Sequence, residues 1–256
     1  MAESPRIKAH TEPPAFSAVV PAAGSGTRMG TRSRKPLLPL DGVPILFHAL
    51  WRLSLAAGCS EVVIAVNQED LDYYRDRWRA EMQARFGVSA IVPGGAVRQA
   101  SVLAALQATD PSAEIVLIHD AVRPLVQVEL VEKVAARAAE CGAAIAAVPA
   151  VATVKEVDAQ GIIKNTPPRD RLWIAQTPQG FRRELALQAH RKAQEDGFVG
   201  TDDALLVERM GLPVAVVEDR PDNIKITTAQ DLAVAEAILR QQRKDGLRGA
   251  DLSGSE

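Results

Sequence analysis

Five short apolar runs punctuate the first 150 residues: FSAVVPAA, EVVIAVN, SAIVPGG, EIVLIHD and AAIAAVPA. Each reads as a buried strand, and each is separated from the next by a stretch long enough for a helix. That alternation predicts an α/β fold built on a single Rossmann-like, mostly parallel sheet with helices on both faces. The intervening segments agree. PILFHALWRLSLAAG has helical apolar spacing and closes on Gly58, and VELVEKVAARAAECG closes on Gly142. In open sheets of this kind ligands collect beyond the carboxyl ends of the strands, so the residues just after each run are where chemistry is expected.

The pattern changes from about residue 151 to 175. ATVKEVDAQGIIKNTPPRDRLWIAQTPQ alternates polar and apolar residues around the turn-forming DAQG, which predicts a β-hairpin arm projecting from the sheet. A helix from about 182 to 195, another from 202 to 210, a strand at PVAVVED and a final helix from TAQDLAVAEAILRQQ complete the chain. The reading divides the sequence into a flexible extension over 1–15, one domain over 16–242 and a flexible polar tail over 243–256.

Composition narrows the function classes. Lys and Arg total 30 against 32 Asp and Glu, a formal charge of -2, so no general attraction to nucleic acid or an anionic membrane is expected and any anion site must be local. Aromatic residues are only 4%, too few to supply stacking platforms for single strands. Cys59 and Cys141 lack metal-ligand spacing and read as reduced core thiols. The first residues carry no signal-peptide core and no stretch has the uncharged length of a membrane span, so a cytoplasmic protein is expected.

Against this neutral background one loop stands out. AVVPAAGSGTRMGTRSRKP follows the first strand with Gly24 and Gly26, then Arg28, Arg32, Arg34 and Lys35. The third glycine of a dinucleotide fingerprint is displaced: Met29 occupies its place and Gly30 comes one residue late. No Gly-Lys-Ser/Thr opens a helix, so a Walker loop is excluded. What remains is a glycine loop whose N–H groups can approach phosphates, with Arg28 and Lys35 as point charges.

AAGSGTRMG…RKPLLPLDGVPIL resembles the signature of nucleotidyltransferases that join a nucleoside triphosphate to a sugar or polyol phosphate. PGGAVRQASVLAAL, IHDAVRP, LWIAQTPQGF, GTDDA and DNIKITTAQDLAVAEAIL narrow this to a resemblance to the 2-C-methyl-D-erythritol 4-phosphate cytidylyltransferases, in the same order over about residues 16 to 240. The resemblance implies transfer of CMP from CTP to methylerythritol phosphate, with Mg²⁺ or another divalent cation on the triphosphate. It implies Arg28 and Lys35 at the β- and γ-phosphates, Lys225 at the α-phosphate, and Asp120 beside the polyol and the metal-triphosphate. Asp222 is a second acidic candidate near that metal. Ala22, Ala23, Gly24, Gly26, Gly94, Gly95 and Ser101 match positions around the nucleotide, mostly through backbone groups.

For the acceptor the matched positions are Arg123, Thr153, Arg169, Thr177 and Thr201. Thr153 and Arg169 lie on the arm, which in the family crosses to a partner, so a homodimer with shared sites is implied. His119 is read as a structural hydrogen-bonding histidine, and Arg98 as structural or at the pocket rim. A cytidylyltransferase for another polyol phosphate, such as ribitol 5-phosphate, shares most of these motifs. More distant alternatives are an NAD-dependent oxidoreductase and a non-catalytic nucleotide-binding protein.

Overall fold

The computed structural model describes residues 13–24 and 34–252. In chain order the first half runs β1 (Phe16–Pro21), the two-residue strands β2 (Pro39–Leu40) and β3 (Val43–Pro44), α1 (Ile45–Ser54), β4 (Cys59–Val66), α2 (Leu71–Phe86), β5 (Val88–Pro93), α3 (Arg98–Gln107), β6 (Ile115–Ile118), α4 (Val128–Cys141) and β7 (Ala143–Pro149). The second half runs β8 (Glu156–Val157), β9 (Ile163–Asn165), β10 (Trp173–Arg182), α5 (Arg183–Glu195), α6 (Ala204–Arg209), β11 (Ala215–Glu218) and α7 (Ala229–Lys244).

Seven strands form one sheet in the order β11-β7-β10-β6-β1-β4-β5. All its pairings are parallel except those of β10, which runs antiparallel between β6 and β7. Period-two alternation decides which helix meets which face. Ala18 and Val20 of β1, with Val62 and Ile64 of β4, pack under α1, α2 and α4, whereas Val19, Val63 and Ala65 face α3, α5 and α6. Because both faces are covered, the central strands read as continuous apolar runs. The mostly parallel α/β sheet predicted from the pattern is the one observed.

β1 pairs with β4 on one side and with β6 on the other, so the chain reverses its direction of winding at β1. A crevice opens where the strand ends diverge at such a switch point. At the other end of the sheet Gly58, with φ of 90°, lies so close to Pro14 that an added Cβ would sit 2.3 Å from the Pro14 carbonyl oxygen. Only glycine fits that turn.

Three features differ from the sequence reading. The arm ends earlier than expected: β8 and β9 form the separate hairpin, while the run from Trp173 continues as a central strand. Pro178 and the polar residues Gln176, Thr177 and Gln179 disguise β10, yet these three polar side chains are all buried. Cys141 is exposed rather than in the core, because it ends α4 on the solvent side, and Cys59 is only partly buried. Burial nevertheless pushes the Cys59 thiol up to about 12.

Residues 243–252 are docked instead of frayed. Ala250 and Leu252 are buried, Arg243 Nε donates to the Ala250 carbonyl at 2.9 Å, and Arg248 NH2 donates to the Leu55 carbonyl at 2.7 Å. The polar letters of this segment contact the surface while its few apolar ones enter the core, with Leu252 joining the cluster under α1 and α2. Leu252→Ala is therefore expected to lower the unfolding free energy by about 2 kcal/mol, at the low end for a buried leucine near a chain end. Urea unfolding tests this, since a frayed end would leave the midpoint unchanged.

Candidate active site

At the switch point lies a cleft of about 500 Å³. Its floor is the chain leaving β1, Pro21 to Gly24; its walls include Asn67 after β4, Gly95 to Val97 and Arg98 at the start of α3, Asp120 to Val122 after β6, and Lys225 and Thr227 after β11. Lys35 and Pro36 close one side, where the chain re-enters as a short 3-10 turn over Lys35–Leu37 with Pro36 buried. Arg28, Gly26 and Arg32 lie outside the described residues.

Asp120 is the centre of the charge arrangement and is 6% exposed. Its Oδ1 receives Arg98 Nε at 3.0 Å, and its Oδ2 faces Lys225 Nζ at 2.8 Å and Arg123 Nε at 3.7 Å. Burial alone would raise this carboxyl, but Arg98, Lys225 and Arg123 outweigh it and hold Asp120 well below the usual carboxylate range. The side chain is thus fully ionised at neutral pH. Arg98 also contacts Asp203 Oδ2 at 2.8 Å, and Asp203 Oδ1 lies 3.3 Å from His190 Nε2. Arg123 continues outward, donating from NH1 to the Asn223 carbonyl at 2.7 Å.

The backbone beneath Asp120 is tied down separately. Thr177 Oγ1 accepts from the Asp120 N–H at 3.1 Å and bonds His119 Nδ1 at 3.1 Å, and His119 Nε2 meets the Arg123 carbonyl at 3.0 Å. One tautomer satisfies this chain: Thr177 donates to Nδ1, and Nε2–H donates to the carbonyl. Burial lowers His119 to about 4, so the ring is neutral. His119 is the structural histidine the sequence suggested. Thr177 is brought to the site too, but as a buried prop for Asp120.

The side of the cleft toward β1 and the start of α3 is built from small residues. Ser101 Oγ accepts from the Gly95 N–H at 3.1 Å and folds the Gly94–Gly95 turn over the start of α3. Gly94 itself does not line the cleft. A Cβ there would stand 2.7 Å from both the Ala23 Cβ and the Ser101 Oγ, so it serves close packing of the turn against the β1 end. Ala22, Ala23, Gly24, Gly95 and Ser101 do line the cleft.

Among the expected acceptor residues only Arg123 and Thr177 come near Asp120. Thr153, Arg169 and Thr201 are exposed and do not line the cleft within one chain; Arg169 NH1 donates to the Val151 carbonyl of its own arm at 2.8 Å. Asp222 is turned elsewhere, with Oδ2 3.2 Å from Gln242 Nε2 and 3.3 Å from Arg220 NH2. Among the described residues no group of three or more His, Cys, Asp or Glu side chains could hold a metal ion, and no helix is long and apolar enough to cross a membrane.

The sequence profile of IspD, 2-C-methyl-D-erythritol 4-phosphate cytidylyltransferase, matches residues 16–241. The chain belongs to this family. The 2-C-methyl-D-erythritol 4-phosphate cytidylyltransferase of Syntrophus aciditrophicus is 44% identical over 229 residues, 90% of this chain and 97% of that protein. Its counterpart in Bacillus mycoides is 42% identical over 232 residues, covering 90% of this chain and 100% of the relative. Among solved structures, the 4-diphosphocytidyl-2C-methyl-D-erythritol synthase from Anaerococcus prevotii superposes with a TM-score of 0.78 at 32% identity, covering 89% of this chain and 96% of the other. The 2-C-methyl-D-erythritol 4-phosphate cytidylyltransferase of Thermus thermophilus gives 0.71 at 34% identity, over 88% and 99%. As a member of IspD, this chain is a cytidylyltransferase.

Asn67 in the cleft of this IspD chain, and Asp203 buried behind Arg98, are not singled out by sequence reasoning. Asp203 sits in the GTDDA block, where the threonine is the matched position, and its burial at 2% is visible only once Arg98 is placed over it. Asn67 reads in the sequence only as part of a poor dinucleotide match.

The buried histidines give a pH dependence of stability. His48, with Nε2 on the Leu40 carbonyl at 2.9 Å, is lowered by burial to about 4, like His119. Below the ordinary imidazole value of 6.5 the unfolded chain takes up protons that the folded chain refuses until about 4. The stabilisation is thus complete above that upper value and is lost as pH falls through the window. Each imidazole contributes a slope of at most about 1.4 kcal/mol per pH unit. Urea unfolding at about pH 7 and about pH 5 should show the loss, and His119→Gln should remove part of the slope.

Proposed function

We propose that this protein transfers CMP from CTP to 2-C-methyl-D-erythritol 4-phosphate, giving 4-diphosphocytidyl-2-C-methyl-D-erythritol and pyrophosphate. A phosphate oxygen of the acceptor attacks the α-phosphorus in line, a new P–O bond forms, and the bond to the β-phosphate oxygen breaks with its electrons leaving on pyrophosphate. The observation that carries the reading is the meeting of Lys35, Lys225, Arg98 and Asp120 around one cleft at the switch point of the sheet. No general base is required, because the nucleophile is already an oxyanion. Catalysis is then positioning and charge neutralisation.

In this reading the base and ribose rest against Ala22, Ala23 and Gly95, where small residues admit close approach. Lys35, with Arg28 from the preceding loop, neutralises the leaving pyrophosphate. Lys225 turns from Asp120 toward the α-phosphate as charge develops there. Arg98 and Arg123 keep the Asp120 carboxylate paired when it does so, which avoids a buried unpaired charge. A Mg²⁺ or similar cation fits as one carried by the triphosphate, since Asp120 is the only carboxylate among the described cleft residues and such ions keep most of their waters. When bound it neutralises phosphate charge.

The acceptor half requires a second copy of the chain. The arm and its junction expose Val151 at 80%, Ile162 at 65%, and Ile163 and Ile174 at 57% each, an apolar surface suited to a partner subunit. A homodimer joined through the arm would bring Thr153 and Arg169 to the partner's cleft, alongside Thr201, for the 4-phosphate. Function in the cytoplasm fits the free cysteines.

Pyrophosphate release with CTP and Mg²⁺ is expected with methylerythritol 4-phosphate and not with ribitol 5-phosphate. Lys225→Ala should reduce kcat by about 10²- to 10³-fold, as for loss of one preorganised electrostatic donor. Release with ribitol 5-phosphate alone would keep the chemistry and reassign the acceptor. Ile163→Asp should shift the protein toward monomer in sedimentation velocity and reduce turnover together, by at least about 10-fold if both arms complete sites; an active monomer would refute the shared site.

A further inference from the structure

Asp222 was expected beside a metal, and its actual partners give it a different task. Gln242, near the end of α7 and 2% exposed, donates from Nε2 to Asp222 Oδ2 at 3.2 Å and to the Leu125 carbonyl at 3.5 Å. Its Oε1 accepts from Arg52 NH2 at 2.7 Å. Arg52, contributed by α1 and fully buried, donates from NH1 to the Val126 carbonyl at 2.9 Å and the Leu125 carbonyl at 3.4 Å. None of the three side chains lines the cleft. They join, from behind, the segment that carries Asp120 and Arg123 to the loop that carries Lys225.

Packing alone does not explain this arrangement. A buried guanidinium is costly to desolvate, and burial lowers the Arg52 value to about 10 even with Asp222 and Glu129 nearby. An apolar side chain of similar volume would fill the space without that cost. What the polar groups supply is direction, because hydrogen bonds to specific carbonyls fix one relative placement of the two segments.

The cleft side already holds the loop at Asn223 and Ile226. Ile226 N–H donates to the Val122 carbonyl at 2.9 Å with its side chain buried in the cluster under α7, the Asn223 carbonyl receives Arg123 and Gln176, and Asn223 Nδ2 donates to the Thr177 carbonyl at 2.9 Å. None of these hydrogen bonds reaches α1 or α7. Asp222 adds a polar link to those helices, through Gln242 and Arg52, one residue before Asn223 and three before Lys225.

We propose that Asp222, Gln242 and Arg52 form a positioning bracket that sets the placement of Lys225 relative to Asp120, so that Asp222 acts through Lys225 and not on a metal. The inference rests on the role given to Lys225 above. Asp222→Ala is expected to lower kcat by about 10-fold while the KM for CTP stays within about twofold, since a displacement near 1 Å is costly in such a site. Asp222→Asn, which keeps an oxygen for the Gln242 amide, should recover most of the loss. Introduced into Lys225→Ala, Asp222→Ala should produce no further decrease, and the Mg²⁺ concentration for half-maximal rate should match that of the parent protein.

Equal fold losses in both backgrounds would show that Asp222 does not work through Lys225 and would overturn the bracket. So would a raised Mg²⁺ requirement, which would restore Asp222 to the metal. If Asp222→Ala does not fold, Gln242→Met carried through the same cycle gives the same decision. A Lys225→Ala protein as fast as the parent would instead overturn the reading of Lys225 itself, and the bracket with it.

Discussion

The carboxylate of Asp120, buried at the end of a central strand and surrounded by three cations, is the constraint from which the rest of the site follows. Alone at that depth it would be expelled or protonated. Arg98 from the start of α3, Arg123 from the turn after β6 and Lys225 from the loop after β11 make it stable as an anion. Each cation belongs to a different segment, so satisfying one carboxylate pulls three parts of the chain to one point. The cleft is the space left where they converge.

This arrangement also bears on rate. Cations aimed at a phosphate accelerate transfer only if they need little reorganisation when charge develops. Long lysine and arginine side chains are poor in that respect unless something holds them. Asp120 and, behind it, Asp203 hold Arg98 from two sides, and the Asn223 carbonyl holds Arg123. Lys225 has the more exposed position of the three, the one suited to exchanging its carboxylate for a phosphate.

The sheet was legible in the sequence because both of its faces are covered. Strands such as β1 and β4 then appear as unbroken apolar runs, and Asp120 stands visibly at the end of one. β10 was harder to read. Its inward positions include Gln176, Thr177 and Gln179, which serve the Asp120 backbone, the 219–227 loop and the start of α6. A strand recruited to build a site loses the apolar signature of a strand. The same limit applied to Asp222 and Asp203. Both stand in motifs near the right loops, but position along a loop does not say which way a side chain turns, and only the partners Gln242 and Arg98 settle it.

The two halves of the site differ in how they are built. The half proposed to hold the nucleotide uses strand ends and a serine-braced glycine turn, whose geometry is fixed within one chain. Thr153 and Arg169, by contrast, lie on an exposed hairpin with apolar residues uncovered. Such an arm cannot hold a phosphate firmly by itself, because its own faces are not packed and its side chains retain their rotamer freedom. Docking on a second subunit would remove that freedom before substrate arrives. In the proposed dimer, subunit association therefore contributes the ordering that the acceptor site needs, while the transfer chemistry stays with the rigid sheet edge.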